Sequence, residues 1–344
     1  MNRQFTALSG VAMLLIVLNH TIVMGAGVPV SYGFPAIQGG VRVVLSLLQS
    51  LGVFAVPIFL FISGAFVSYA ARGEPPRLSA RFLIGGLSHI WWPYLFWSLI
   101  FYAVVFLQFG QRYSLLGYGK NLLVGYPFHF VPLLLLFYAL SPVLVKLGRS
   151  HSLLLIAAIG LGQLLLMTLV HAGLFPERMR VLVPPVIGRN LAIWAVYFPL
   201  GLLYGLHMRA MLPVLKKARA WLVLLTVVFF IVGVLHYSGV VDLPLAGFLP
   251  PLPFVLLLPV IDRGSIPLVN VLEAIGKRSY GLYLTHLLVL DLTLWAIGVF
   301  GIGLFNYRLA LLPLLFPFAV RVPLTLMDVL TRSPVRPIYR YLMG

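Results

Sequence analysis

The sequence predicts an all-α, polytopic membrane helix bundle with about ten transmembrane helices and both termini cytoplasmic. Three observations carry that prediction. Of the 344 residues, 61% are hydrophobic and only 9% charged, whereas charged residues make up about a quarter of an ordinary soluble domain. The apolar residues gather into runs long enough to cross about 30 Å of hydrocarbon as helices, the one open structure that satisfies its own backbone in lipid. The basic residues fall singly or in small groups between those runs, where they orient the spans. That scatter argues against nucleic acid as the partner of a chain with a formal charge of +17, since such binding needs a basic soluble face. The absence of cysteine excludes a disulfide framework, a thiolate metal site and a cysteine nucleophile.

A helix needs roughly 20 residues to span the bilayer. Ten segments emerge, approximately Gln4–Met24, Val43–Ala70, Phe82–Leu107, Phe130–Val145, Leu153–Ala172, Leu191–Met211, Trp221–Tyr237, Phe248–Ile261, Ser279–Phe300 and Tyr307–Leu330. The first, with Arg3 ahead of it, also resembles a secretory signal. It lacks an A-x-A-like cleavage site after Met24 and reads better as a membrane helix. The eighth is short and carries Pro250, Pro251, Pro253 and Pro259. Residues 1–330 form the transmembrane domain, and 331–344 a short basic cytoplasmic tail. Gly201-x-x-x-Gly205 in the sixth segment reads as a packing motif.

An even number of spans puts both termini on one side, and the Lys and Arg distribution selects the side. With the N-terminus inside, sixteen basic residues fall in cytoplasmic segments and seven outside, with Arg321 inside the last span. The cytoplasmic set includes Arg72, Arg77 and Arg81 between the second and third spans. The connection Gly173–Asn190, with Arg178, Arg180 and Arg189, runs mildly against the rule.

Ionisable side chains inside a membrane are costly and therefore informative. At about 1.5 Å per residue, His20 lies about 24 Å from the inner end of the first span, His89 about 10 Å into the third, and His286 and Asp291 about 10 Å and 18 Å into the ninth. An imidazole can take and return a proton near neutral pH, which suits a general base acting on a hydroxyl. The alternative is a buried imidazole hydrogen-bonded to a neighbouring helix. Asp291, expected at a depth similar to His20, would orient it or make a structural hydrogen bond. No two histidines, and no histidine and carboxylate, stand three or four residues apart on one helix, so no metal site is expected.

Four stretches together resemble the integral-membrane acyltransferases, acyltransferase family three, over essentially the whole chain. They are VAMLLIVLNH from Val11 to His20, PIFLFISGAF from Pro57 to Phe66, FVPLLLLFYALSP from Phe130 to Pro142, and IGKRSYGLYLTH from Ile275 to His286. The last, matching G-K-x-S-Y-x-x-Y-x-x-H, is the most specific. The resemblance implies an acyl group, usually acetyl, moved from cytoplasmic acyl-CoA to a hydroxyl of a cell-envelope glycan or glycolipid, in the inner (plasma) membrane of a bacterium. It implies His20 as the catalytic histidine, His286 as the histidine of the ninth helix, and Ser63 and Tyr283 as packing or tunnel positions.

Two departures from the family pattern bear on the donor. The arginine usual eleven residues before the first-helix histidine is Ser9 here, and an R-x-x-R pair ahead of Pro93-Tyr94 has become Gly86 and His89. Arg72, Arg77 and Arg81 are the cations left to meet the donor's phosphates; a solvated positive-inside loop is the alternative. A glycan or lipid transporter or flippase, and a catalytically degenerate family member, are the competing expectations.

Overall fold

The computed structural model describes residues 3–71, 77–174, 193–237, 240–243, 245–334 and 336–344. Its helices are α1 (Arg3–Ser31), α2 (Gly39–Ser50), α3 (Ala55–Ala70), α4 (Ala80–Phe109), α5 (Leu115–Val124), α6 (Val131–Ser150), α7 (Ser152–His171), α8 (Tyr197–Leu206), α9 (Met208–Lys217), α10 (Arg219–Tyr237), α11 (Pro251–Leu257), α12 (Val269–Gly276), α13 (Ser279–Phe300), α14 (Arg308–Arg332) and α15 (Tyr339–Met343).

Among the described residues, eight helical runs are long and apolar enough to cross a membrane. The second of them joins α2, the short 3₁₀ turn Leu51–Phe54 and α3 into one run of 32 residues. A ninth arises if α8 and α9 count as one span, although the two meet at 110°. Helix α9 is amphipathic and carries Arg209, Lys216 and Lys217, a pattern that suits a helix lying along a membrane surface rather than continuing a span. His207 sits at the bend and its Nε2 bonds the Gly148 carbonyl at 2.8 Å. The eighth predicted segment is shorter than expected. It forms an apolar helix only from Pro251 to Val260, about 15 Å long by the helical rise, because its prolines remove ladder donors and push its end into a 3₁₀ turn.

The chain divides into two compact units. One comprises Val56–Pro267 with the start of α1 up to Phe5. Here the Gly201-x-x-x-Gly205 motif behaves as the small-residue pattern suggests. A Cβ on Gly201 would overlap the Phe61 carbonyl, one on Gly205 would overlap Ser68 Oγ, and one on Gly64 would overlap the Phe198 carbonyl. Helices α3 and α8 therefore touch backbone to backbone, the arrangement that supplies packing energy where lipid offers no hydrophobic drive for association. Phe5, Phe61 and Tyr204 cluster around that contact.

In the same unit α5 folds back along α4. Tyr118 packs on Tyr102 at 5.4 Å, and the Tyr94 hydroxyl, two turns nearer the start of α4, donates to the Leu122 carbonyl. After the break at Gly125–Phe130, where the Tyr102 hydroxyl donates to the Tyr126 carbonyl at 2.8 Å, α6 continues antiparallel to α4. The tyrosines supply donors to carbonyls that an interrupted helix leaves exposed.

The second unit comprises Thr6–Ala55 and Leu268–Gly344. Helices α13 and α14 pack together and are tied at one end by Arg278 and Asp328, 2.6 Å apart. Both partners are more than a third exposed, so the pair contributes about 1 kcal/mol at most. The basic segment beyond residue 330 ends in α15, whose Met343 is buried beside Gly281.

A graded packing test follows. Gly201→Leu forces α3 and α8 apart and should cost about 3 kcal/mol or more, read as loss of the monodisperse peak in detergent. Gly85→Ala, whose Cβ meets nothing within 4 Å, should keep the wild-type melting temperature or raise it slightly.

Candidate active site

The site is built on α1 and α13 in the second unit. Gly10 and Gly276 bring α1 against α12: a Cβ on Gly10 would overlap the Leu272 carbonyl, and one on Gly276 the Thr6 carbonyl. Beyond the turn that follows α12, α13 runs parallel to α1. His286 meets His20, and twelve residues further along both chains Gly298 meets Tyr32. The offset is 266 residues at each contact, so one register holds over about 18 Å of helix.

That register corrects the depth expectation. His286 was expected about 14 Å nearer the inner face than His20, with Asp291 at a depth similar to that of His20. Instead His286 is level with His20, because α13 starts opposite the middle of α1. Asp291 lies about 7.5 Å further along α13 and about 140° around it from His286.

The two imidazoles bond through His20 Nδ1 and His286 Nε2 at 2.8 Å, with ring planes 11° apart. Their proton positions follow from the outermost partner. His286 Nδ1 lies 3.1 Å from the Leu282 carbonyl, which only accepts, so Nδ1 carries the proton. The lone pair of the neutral His286 ring is then on Nε2, and His20 Nδ1–H donates to it. Neutral His20 is thereby held with its basic lone pair on Nε2. The chain Leu282 carbonyl, His286, His20 fixes tautomer and ring orientation together, as a carbonyl or carboxylate partner commonly does for an imidazole.

His286 is fully buried and His20 half-buried. Tyr283, one turn before His286, packs its ring 5.8 Å from that imidazole, which makes it a packing neighbour of the pair. Two further residues emerge that the sequence reading passed over. Asn19 Nδ2 donates to the Gln49 carbonyl at 3.0 Å, and a Cβ on Gly52 would come within 2.8 Å of the same nitrogen. Asn19 therefore pins α1 beside His20 to the α2 terminus, and only glycine leaves room. Thr21 is buried, and its hydroxyl has no hydrogen-bond partner among the described residues. Its sole sequence signal was polarity next to a membrane histidine.

The other expected residues belong to the first unit. Ser63 is half-buried next to Gly64, His89 is exposed, and Arg77 and Arg81 are exposed around the Ser79-capped start of α4; Arg72 lies outside the described residues, as do Arg178, Arg180 and Arg189. Gly86, where the family pattern has an arginine, faces the Tyr138 ring: a Cβ there would stand 3.0 Å from it. Ser9, at the other replaced arginine, is buried in α1 next to Gly10. No cluster of three or more metal-ligating side chains occurs among the described residues.

Fold and site together define a multi-pass membrane protein with a hydrogen-bonded imidazole pair inside the helix bundle. The family profile described as an acyltransferase domain, acyltransferase family three, matches residues 2–331, and the chain belongs to that family. Family and bundle together support a membrane acyltransferase. No curated protein and no solved structure matches the chain.

The tautomer assignment can be read directly. In protein labelled with ¹⁵N-histidine at neutral pH, the His286 resonances, identified by their loss in His286→Gln, should show a protonated Nδ1 and an unprotonated Nε2. The reverse pattern would contradict the hydrogen-bond chain.

Proposed function

We propose that this protein transfers an acyl group, acetyl in the simplest case, from cytoplasmic acyl-CoA to a hydroxyl of an extracytoplasmic glycan or glycolipid, with His20 as the general base. The hydrogen-bonded His20–His286 pair is the observation that carries the reading. His20 Nε2 takes the proton of the acceptor hydroxyl as its oxygen attacks the thioester carbonyl carbon. The tetrahedral adduct collapses, the carbon–sulfur bond breaks, and the proton passes from His20 to the coenzyme A thiolate. Throughout, His20 Nδ1–H stays on His286 Nε2, which stabilises the transient imidazolium and keeps the ring aimed. The buried hydroxyl of Thr21 beside the base is a polar group that a bound acceptor would satisfy.

In this reading the termini are cytoplasmic, the membrane is the bacterial inner membrane, and the donor's phosphates meet the basic connection of Arg72, Arg77 and Arg81. The reaction needs no metal. Membrane lipids surround the bundle, and Ser63, His89 and Asp291 serve packing or the substrate path rather than the proton transfer.

A second reading is favoured by one specific feature. Gly86 is closed over by Tyr138, so the place of a family arginine is filled by an aromatic ring, which fits a member that has lost donor binding.

Calorimetry with purified protein separates the two: acetyl-CoA should bind, and binding should survive His20→Ala. That variant should lose transfer by about 100- to 10,000-fold. His286→Gln should lower kcat by a smaller factor with the donor KM unchanged, as expected of a positioning residue. Absence of donor binding at millimolar concentration supports the degenerate member instead, and full glycan acetylation by stably expressed His20→Ala removes the base assignment.

A further inference from the structure

The first unit holds a cavity of about 860 Å³ between α4, α5 and α6, toward the upper end of the ~300–1,000 Å³ typical of small-molecule pockets. Its walls, among them Ile84, Trp91, Leu122, Leu136 and Ala139, are almost wholly apolar, with Ser88 among the few polar groups. It lies on helices of membrane-spanning character, and neighbouring α5 turns Leu115 and Leu116 outward almost fully exposed. Hydrocarbon is therefore what surrounds it.

Two cations sit on the stripes that line this groove. On α4, Arg81, Ile84, Ser88 and Trp91 recur at intervals of three, four and three residues. On α6, Lys146, Val143, Ala139 and Leu136 repeat the same intervals in reverse. Such spacing places each set along one helix face. The helices are antiparallel, as the contacts Gly86–Tyr138 and Tyr94–Phe128 together require, so Arg81 and Lys146 fall at the same end of the groove, and both are exposed. No carboxylate occurs anywhere from Ala80 to Ser150, so these three helices supply no counter-ion. Arg149 is already spent on the Leu206 carbonyl at the end of α8.

The geometry points to a binding site for one anionic phospholipid, its phosphate between Arg81 and Lys146 and an acyl chain in the groove between α4 and α6. Apolar volume and paired positive charge at one mouth match that amphiphile. Arg81 borders both this mouth and the basic connection proposed for the donor, whereas Lys146 belongs to the mouth alone. Lys146 and Ala139, where the site is tested, have no part in the acyl-transfer reading, so the two readings fail separately.

Native mass spectrometry of protein released from nanodiscs tests the proposal. Wild type should retain dioleoylphosphatidylglycerol over dioleoylphosphatidylcholine by about fivefold or more, the preference that one cation at a membrane surface supplies. Lys146→Glu should abolish the preference, and Ala139→Trp, which fills the groove, should abolish retention of both lipids. Arg112→Glu, at a cation stacked on Phe106 outside the stripes, should change neither, and melting temperatures establish that each variant is folded. Equal retention of the two lipids by wild type overturns the proposal, as does retention of phosphatidylglycerol undiminished in both groove variants. Displacement of phosphatidylglycerol by equimolar polyprenyl phosphate also overturns it, by assigning the groove to a lipid-linked substrate.

Discussion

The close approach of α1 and α12 through Gly10 and Gly276 is the constraint on which the geometry of the His20–His286 pair rests. Between helices in lipid there is no hydrophobic drive, so association depends on backbones coming near enough for dispersion contacts. Side chains larger than hydrogen at these two positions would strike the Leu272 and Thr6 carbonyls. The contact fixes where the chain turns after Gly276, hence where α13 begins, hence which residue of α13 stands beside His20. Register along a helix pair is a stiff variable. A slip of one residue would rotate His286 by about 100° and lift it about 1.5 Å, removing the hydrogen bond.

The same economy governs the polar groups. Most of those whose partners are known complete a backbone. Asn19 supports the end of α2, Tyr94 and Tyr102 serve carbonyls near the break between α5 and α6, and His207 bonds the Gly148 carbonyl near the end of α6. Each meets a group that lipid would otherwise leave unsatisfied. Against that background the bond between His20 and His286 stands out. It joins two side chains, contributes nothing to a helix terminus, and leaves a basic nitrogen oriented by a partner.

The departures from the family pattern acquire a structural meaning. Gly86 is a site of close helix packing occupied by the Tyr138 ring, so restoring an arginine there requires the ring to move. On α4 and α6 the cations lie at the start of α4 and near the end of α6, at one end of an apolar groove. Two of the basic places in this unit carry proposals, the connection before α4 for the donor and the groove mouth for a lipid. Both follow from a unit whose stretch from Ala80 to Ser150 contains no acid.

Much of the architecture was legible in the sequence because hydrophobic length is a local property. Most of the predicted spans recur as helices with ends shifted by a few residues, and the proline-rich eighth segment was already the weakest. The packing role of Gly201 and Gly205 was also legible, since small residues one turn apart have few other uses in a membrane helix. His20 and His286 could be named from their burial cost and from the motifs around them. What the sequence could not state was their relation. Depth counted from each helix end put them about 14 Å apart, because the level at which a helix starts is set by its neighbours. The bend at His207, the fold-back of α5 along α4, and the roles of Asn19 and Gly52 were hidden for the same reason. By itself the sequence determined an all-α membrane protein of the acyltransferase family with a few membrane histidines. Only tertiary structure decided that two of them share a hydrogen bond, because helix register is a property of backbone contacts between segments hundreds of residues apart.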